Sequence, residues 1–193
     1  MPSDLRPGPD SPPTDELDSA EATLRVLQQV LHTVAGDDMS RQTPCTEYDV
    51  TQLTGHLLKS ITALGGMAGA ELSEPDPSDS AERQIIAAAR PALDAWQRRG
   101  LDGNVPFRGG EMPARDACGI LSLEFLVHAW DYATAVGHDV SVPDSLAEFV
   151  LGLAHKVIRP ELRGDAFDDP RDVPDDARGL DRLVGFTGRN PAG

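Results

Sequence analysis

The segment Ile120-Leu121-Ser122-Leu123-Glu124-Phe125-Leu126-Val127-His128-Ala129-Trp130-Asp131 decides how this chain folds. It is apolar enough to belong in a core, yet it carries a carboxylate and an imidazole four residues apart. At 3.6 residues per turn, positions i and i+4 lie one above the other, so Glu124 and His128 project from one helix face and can share a metal ion. A carboxylate buried there without a partner is costly unless it takes up a proton, so the fold must compensate Glu124.

Outward from this segment, the stripe Ala117, Ile120, Leu121, Glu124, His128, Asp131 and Ala135 predicts a helix with three polar groups on its inward face. It opens with Pro113 at the first helical position and ends near Gly137. Upstream, Ala20, Leu24, Leu27, Leu31 and Val34 recur at helical spacing before Gly36. Asp49 with Gln52 reads as a capping box that opens a helix running to about Gly69, with Leu53, Leu57, Ile61 and Leu64 inward and His56 flanking them. Ala81 to Gly100 is a third helix, with Pro91 placed to kink it. The stretch Leu101 to Met112 holds too many Gly and Pro residues for a helix, and no alternating strand pattern of useful length occurs anywhere. A helix from about Pro143 to Ile158, an acidic loop and a short helical turn ending at Gly188 complete the chain. The expected class is all-α, a four-helix bundle with a short C-terminal extension. Residues 1–14, rich in Pro, Ser and Asp, are expected to form a loosely attached tail, and 15–191 a single domain.

The composition excludes several functions. Seventeen basic against 32 acidic residues give a formal charge of -15, which repels phosphate backbones and anionic lipid, so neither nucleic acid nor a membrane is an expected partner. No run approaches the roughly 18 apolar residues that span a bilayer. The N-terminus lacks the apolar core of a signal peptide, which makes a cytoplasmic location the expectation. Cys45 and Cys118 lack Cys-x-x-Cys spacing and read as small buried hydrophobes, although Cys45 could in principle be a ligand or nucleophile. There is no phosphate-binding glycine loop, since Gly65-Gly66 lies inside the second helix, and no Gly-x-Ser-x-Gly elbow.

Catalytic zinc keeps three protein ligands and leaves a position open, and two histidines with a carboxylate are a common set. Glu124 and His128 supply two, and His56, near the apolar face of another helix, is the candidate third. The bland reading is a core histidine satisfied by hydrogen bonds and a Glu124 paired with an arginine such as Arg115. Asp131 could accept a hydrogen bond from a ligating imidazole or form a buried salt bridge. His32, His138 and His155 have no partner at ligand spacing and read as surface or packing residues.

Two blocks of sequence resemble one family. Thr43-Pro44-Cys45-Thr46-Glu47-Tyr48-Asp49-Val50, followed by Leu53 and Gly55-His56-Leu57, is similar to the opening signature of the mycothiol-dependent maleylpyruvate isomerase-like proteins of the DinB superfamily. Pro106-Phe107, Gly110, Met112-Pro113-Ala114, then Leu123 through Asp131, Ala135-Val136-Gly137 and the terminal Gly188-Arg189-Asn190-Pro191 resemble the same family. Tyr48 departs from it, standing where tryptophan is usual. The resemblance implies a DinB-like four-helix bundle. It also implies a divalent metal, zinc first with nickel or iron as alternatives, held by His56, Glu124 and His128. The isomerase carries an additional C-terminal domain, whereas this chain stops just after the bundle, so maleylpyruvate itself is not the expected substrate.

The function expected from these readings is a metal-dependent enzyme that uses a low-molecular-weight thiol, mycothiol first, as cosubstrate and nucleophile. It would act by isomerisation or S-transfer on a small electrophilic molecule. A metal-dependent hydrolase, a non-haem iron oxygenase and a non-catalytic, stress-associated metal-binding bundle stay open beside it. Exposed apolar helix faces leave room for a homodimer.

Overall fold

In the computed structural model, which describes residues 10–164 and 167–191, six α-helices and one β-hairpin follow one another among the described residues. They are α1 (Glu16–Leu31), α2 (Val50–Met67), α3 (Ala81–Arg99), β1 (Asn104–Phe107), β2 (Gly110–Pro113), α4 (Ala114–Val136), α5 (Asp144–Val157) and α6 (Gly179–Phe186). Of the expected N-terminal tail, residues 1–9 lie outside the described residues. Within the remainder, the backbone amide of Thr14 donates to Asp18 at 3.0 Å.

The helix starts follow local chemistry. Asp15 caps α1 by accepting from the Asp18 amide at 2.8 Å. Asp49 and Gln52 form the expected capping box, with bonds of 2.8 and 2.9 Å running in opposite directions. Gly100 and Gly137 end α3 and α4 at φ 79° and 77°, where a residue with a Cβ would be strained. Pro91 lies inside α3, which runs on to Arg99. Pro113 stands one position earlier than expected, as the N-cap of α4.

Two expectations need correction. The segment read as an irregular connector holds an antiparallel hairpin, Asn104 opposite Pro113 through Phe107 opposite Gly110, so the fold is mostly helical with a small two-stranded sheet. Arg108 and Gly109 turn it at φ 47° and 80°, the double left-handed geometry that two-residue hairpins need. With four residues per strand, Pro106 inside one of them and Val105 the single residue buried in either strand, no period-2 pattern could form in the sequence. Secondly, α4 does not bury a single stripe. Leu121, Ser122, Leu123, Phe125, Leu126 and Val127 are all buried, and a helix that is apolar around its circumference is an interior helix.

That interior position organises the packing. Helix α1 packs most extensively on α4 and also on α3, while α2 packs on α3 and α4, so the four helices close a ring. Helix α5 covers α4, and α6 packs on α5. Leu24, Leu27, Leu57, Ile61, Ile85 and Phe125 are fully buried, and the Trp96 indole N–H donates to the Leu64 carbonyl at 3.1 Å, joining α3 to α2. No described helix is long and apolar enough to cross a membrane.

Gly65 allows α2 and α3 to approach closely, because a Cβ built there would stand 2.8 Å from the Cβ of Ala92. Gly65→Val is therefore expected to destabilise the fold by about 2 kcal/mol, overpacking outweighing the roughly 0.5 kcal/mol that the better helix former contributes. Thermal unfolding would show this as a fall in Tm of about 4–8 °C, and an unchanged Tm would contradict the close approach.

Candidate metal centre

Helix α4 carries Glu124 and His128 one turn apart, and α2 packs against it, which brings His56 to the same place. A buried hydrogen bond of 2.9 Å between Thr54 on α2 and Tyr132 on α4 sets the register of the two helices next to these residues. Glu124 Oε2 lies 3.5 Å from His56 Nε2 and 3.5 Å from His128 Nε2, and the three potential ligand atoms all lie within 4.8 Å of one another. The same Oε2 is buried and makes no hydrogen bond among the described residues. Zinc bonds to nitrogen and oxygen of about 2.0–2.1 Å at tetrahedral angles put donor atoms about 3.4 Å apart. An orphaned carboxylate oxygen at that distance from two imidazole nitrogens fits a divalent cation.

The two imidazoles are held unequally. The His128 side chain is 7% exposed and that of His56 34% exposed, so the cluster opens on the α2 side. His128 Nδ1 faces Asp131 Oδ2 at 2.9 Å, which fixes the ring and leaves Nε2 toward Glu124. His56 Nδ1 faces the Tyr48 hydroxyl at the longer distance of 3.5 Å, and the two rings stack with centroids 5.1 Å apart.

Asp131 makes both of the contacts left open by its position in sequence, one with the His128 imidazole and one with an arginine. Besides meeting His128 it is fully buried and ion-paired with Arg189, whose Nε donates to Oδ1 at 3.1 Å and whose Nη2 donates to Oδ2 at 2.8 Å. Arg115, considered as a partner for Glu124, instead donates to Glu16 at 2.7 Å. Cys118 is buried as expected, and burial pushes its thiol up to about 12. Cys45 is only half-buried, and it has the basic neighbour that sequence proximity did not reveal, Arg189; burial still outweighs that cation and raises the thiol. His32 is exposed and pairs with Glu82, while the exposed His155 ring packs on Phe186.

Burial alone would push the Glu124 carboxyl up, but the His128 and His56 imidazoles beside it outweigh this and hold the group below the usual carboxylate range. Asp131 behaves alike, with His128 and Arg189 overcoming its burial. For His128, burial acts to lower the pKa, and the two carboxylates reverse this and lift it to about 9.

Sequence reasoning named Arg189 only as part of the terminal Gly188-Arg189-Asn190-Pro191 block, and it missed both the pairing of Arg189 with Asp131 and the Tyr132–Thr54 bond. A buried Asp131 does require a cation, but the one that answers it comes from 58 residues away.

Residues 20–133, which span α1 to α4 and include His56, Glu124, His128 and Asp131, match the model of the mycothiol maleylpyruvate isomerase N-terminal domain. Two uncharacterized proteins of Mycobacterium tuberculosis, from strains CDC 1551 and H37Rv, are each 28% identical to the chain over 178 residues. Those residues cover 91% of this chain and 98% of each relative. No solved structure matches it significantly.

The electrostatics of the cation-free cluster have a defined pH dependence. His128 binds its proton more tightly folded, near 9, than unfolded, near 6.5, so its contribution is fully present below pH 6.5 and is lost as pH rises through 9. Glu124 and Asp131, both lowered, contribute above their unfolded values near 4 and lose that contribution on acidification. Urea unfolding of chelator-stripped protein should lose on the order of 3 kcal/mol between pH 6.5 and 9. His128→Gln should flatten that fall, and an equal slope in both proteins would contradict the assignment.

Proposed function

The chain belongs to the family of the mycothiol maleylpyruvate isomerase N-terminal domain, and from that membership we propose that it is a metal-dependent enzyme using a low-molecular-weight thiol, mycothiol first, as nucleophile. The reaction is isomerisation or S-transfer on a small electrophilic molecule. The observation that carries the proposal is Glu124 Oε2, buried without a hydrogen bond and 3.5 Å from two imidazole nitrogens. His56, Glu124 and His128 hold the cation. Zinc suits a donor set of two imidazoles and one carboxylate. The ring closed by α1, α4, α2 and α3 supports reading the matched region as a DinB-like four-helix bundle.

The chemistry a bound divalent cation supplies is to hold a thiol as its thiolate at neutral pH, the form that attacks carbon. The chain's own residues do the rest. Asp131 holds a proton at His128 Nδ1, which keeps Nε2 free to coordinate. The less buried His56 marks the side from which a small thiol and its substrate approach, and the Tyr48 ring stacked on it forms part of that entrance. Burial pushes the Cys45 and Cys118 thiols above their ordinary value, which disfavours their thiolates and supports an external thiol as the nucleophile. The acidic surface disfavours nucleic acid and anionic membranes as partners. Such a protein would work in the cytoplasm, as a monomer or a homodimer.

Untagged protein is expected to carry about one divalent cation per chain by elemental analysis, and His56→Ala, Glu124→Gln and His128→Ala should each lose it while keeping their helical circular dichroism. Thiol-dependent turnover of an activated alkene or of a substrate with a leaving group should fall by more than about 100-fold in the same variants, more than removal of an outer-shell partner costs. Unchanged thiol-dependent rates would overturn the proposal. Turnover in thiol-free buffer would point to hydrolysis, and a cation that raises Tm without any turnover would point to a metal-binding role alone.

A further inference from the structure

We propose that Arg189 is a positioning residue of the His56, Glu124 and His128 site, acting by fixing the Asp131 carboxylate that in turn fixes His128. This rests on the cation-holding reading of that site. Arg189 lies beyond the family-matched segment, and its backbone is delivered by the end of α6. There Gly188 adopts φ 92°, its N–H bonds the Gly185 carbonyl at 3.0 Å, and the Arg189 N–H bonds the Val184 carbonyl at 3.0 Å. That pattern is a Schellman ending, which reverses the chain at a left-handed glycine. A Cβ on residue 188 would stand 2.5 Å from the Cβ of Asp168, so the turn is closed against its surroundings and sends Arg189 back toward α4.

Only 12% of the Arg189 side chain is exposed. Its planar fork takes both oxygens of Asp131, at 3.1 and 2.8 Å, and its Nη1 donates to the Thr187 carbonyl at 3.3 Å. A lysine would supply a charge but no fork. Asp131 Oδ2 is the oxygen that also meets His128 Nδ1, so a guanidinium, a carboxylate and an imidazole form one line that ends at His128 Nε2, 3.5 Å from Glu124. With both guanidinium bonds gone, Asp131 loses a two-point hold on its plane and His128 loses the fixed acceptor that sets its tautomer and ring angle. The positive charge of Arg189 is largely cancelled by Asp131 at bonding distance, so repulsion of an incoming cation is the smaller effect and orientation the larger. The bland reading is that the pair merely ties the C-terminal segment to α4. A tie needs any carboxylate; this one engages the carboxylate that touches a candidate ligand.

The test titrates cobalt(II) into full-length, chelator-stripped wild type, Arg189→Gln, Arg189→Lys, Asp131→Asn and the Arg189→Gln/Asp131→Asn double variant. Arg189→Gln is expected to weaken cobalt binding roughly 10–100-fold, the effect of losing an outer-shell partner. Arg189→Lys should fall in between, and the double variant should bind no more weakly than Asp131→Asn alone, because both substitutions break the same line. The visible absorption of bound cobalt should shift in the Arg189 variants, which a tie remote from the ligands would not produce. Should Arg189→Gln fail to fold, Arg189→Lys decides. Folded Arg189 variants with wild-type affinity and spectrum overturn this inference alone, and wild type that takes up no cobalt overturns it together with the site reading.

Discussion

A negative charge in the middle of a buried helix is the constraint on which the rest of the structure depends. Helix α4 is enclosed by α1, α2 and α5, and its apolar circumference leaves Glu124 with little access to water. A carboxylate in that position must be met by positive charge or by hydrogen-bond donors. The protein meets it with imidazoles from two helices, which forces α2 to lie against α4 in one register, and Thr54 and Tyr132 hold that register.

The compensation extends outward in alternating sign. Glu124 faces His128, His128 faces Asp131, and Asp131 faces Arg189. Each buried group in this series has a partner of opposite or opposable charge, which is how a low-dielectric interior accommodates several ionisable side chains together. The weak point is the donor set itself, where Glu124 Oε2 stands 3.5 Å from two imidazole nitrogens without a hydrogen bond. A divalent cation would serve all three residues at once.

Much of this was legible in the sequence because helical spacing is local. The i,i+4 relation of Glu124 and His128, the capping box at Asp49 and Gln52, and the breakers at Gly100 and Gly137 each declare themselves within a few residues. His56 could be named as a candidate from its place beside the α2 stripe, although its distance from Glu124 could not. The hairpin at 104–113 escaped because its strands are too short and too exposed to alternate, and an Arg-Gly turn is a weaker signal than Asn-Gly. The role of Arg189 escaped for another reason: the block Gly188-Arg189-Asn190-Pro191 stood out in the sequence, but the partner of a buried ion pair depends on tertiary packing, and nothing local joins this arginine to Asp131.

The pairing of α1 with α4 also governs how the chain must assemble. Helices α2 and α3 are joined by the short segment between Met67 and Ala81, so their contact closes a small loop at little entropic expense. The most extensive helix contact instead joins the first helix to one that begins at Ala114, and it closes a much longer loop at greater entropic cost. On topological grounds the α2–α3 pair is the local contact of the bundle, and the α1–α4 pair is the one that raises its contact order.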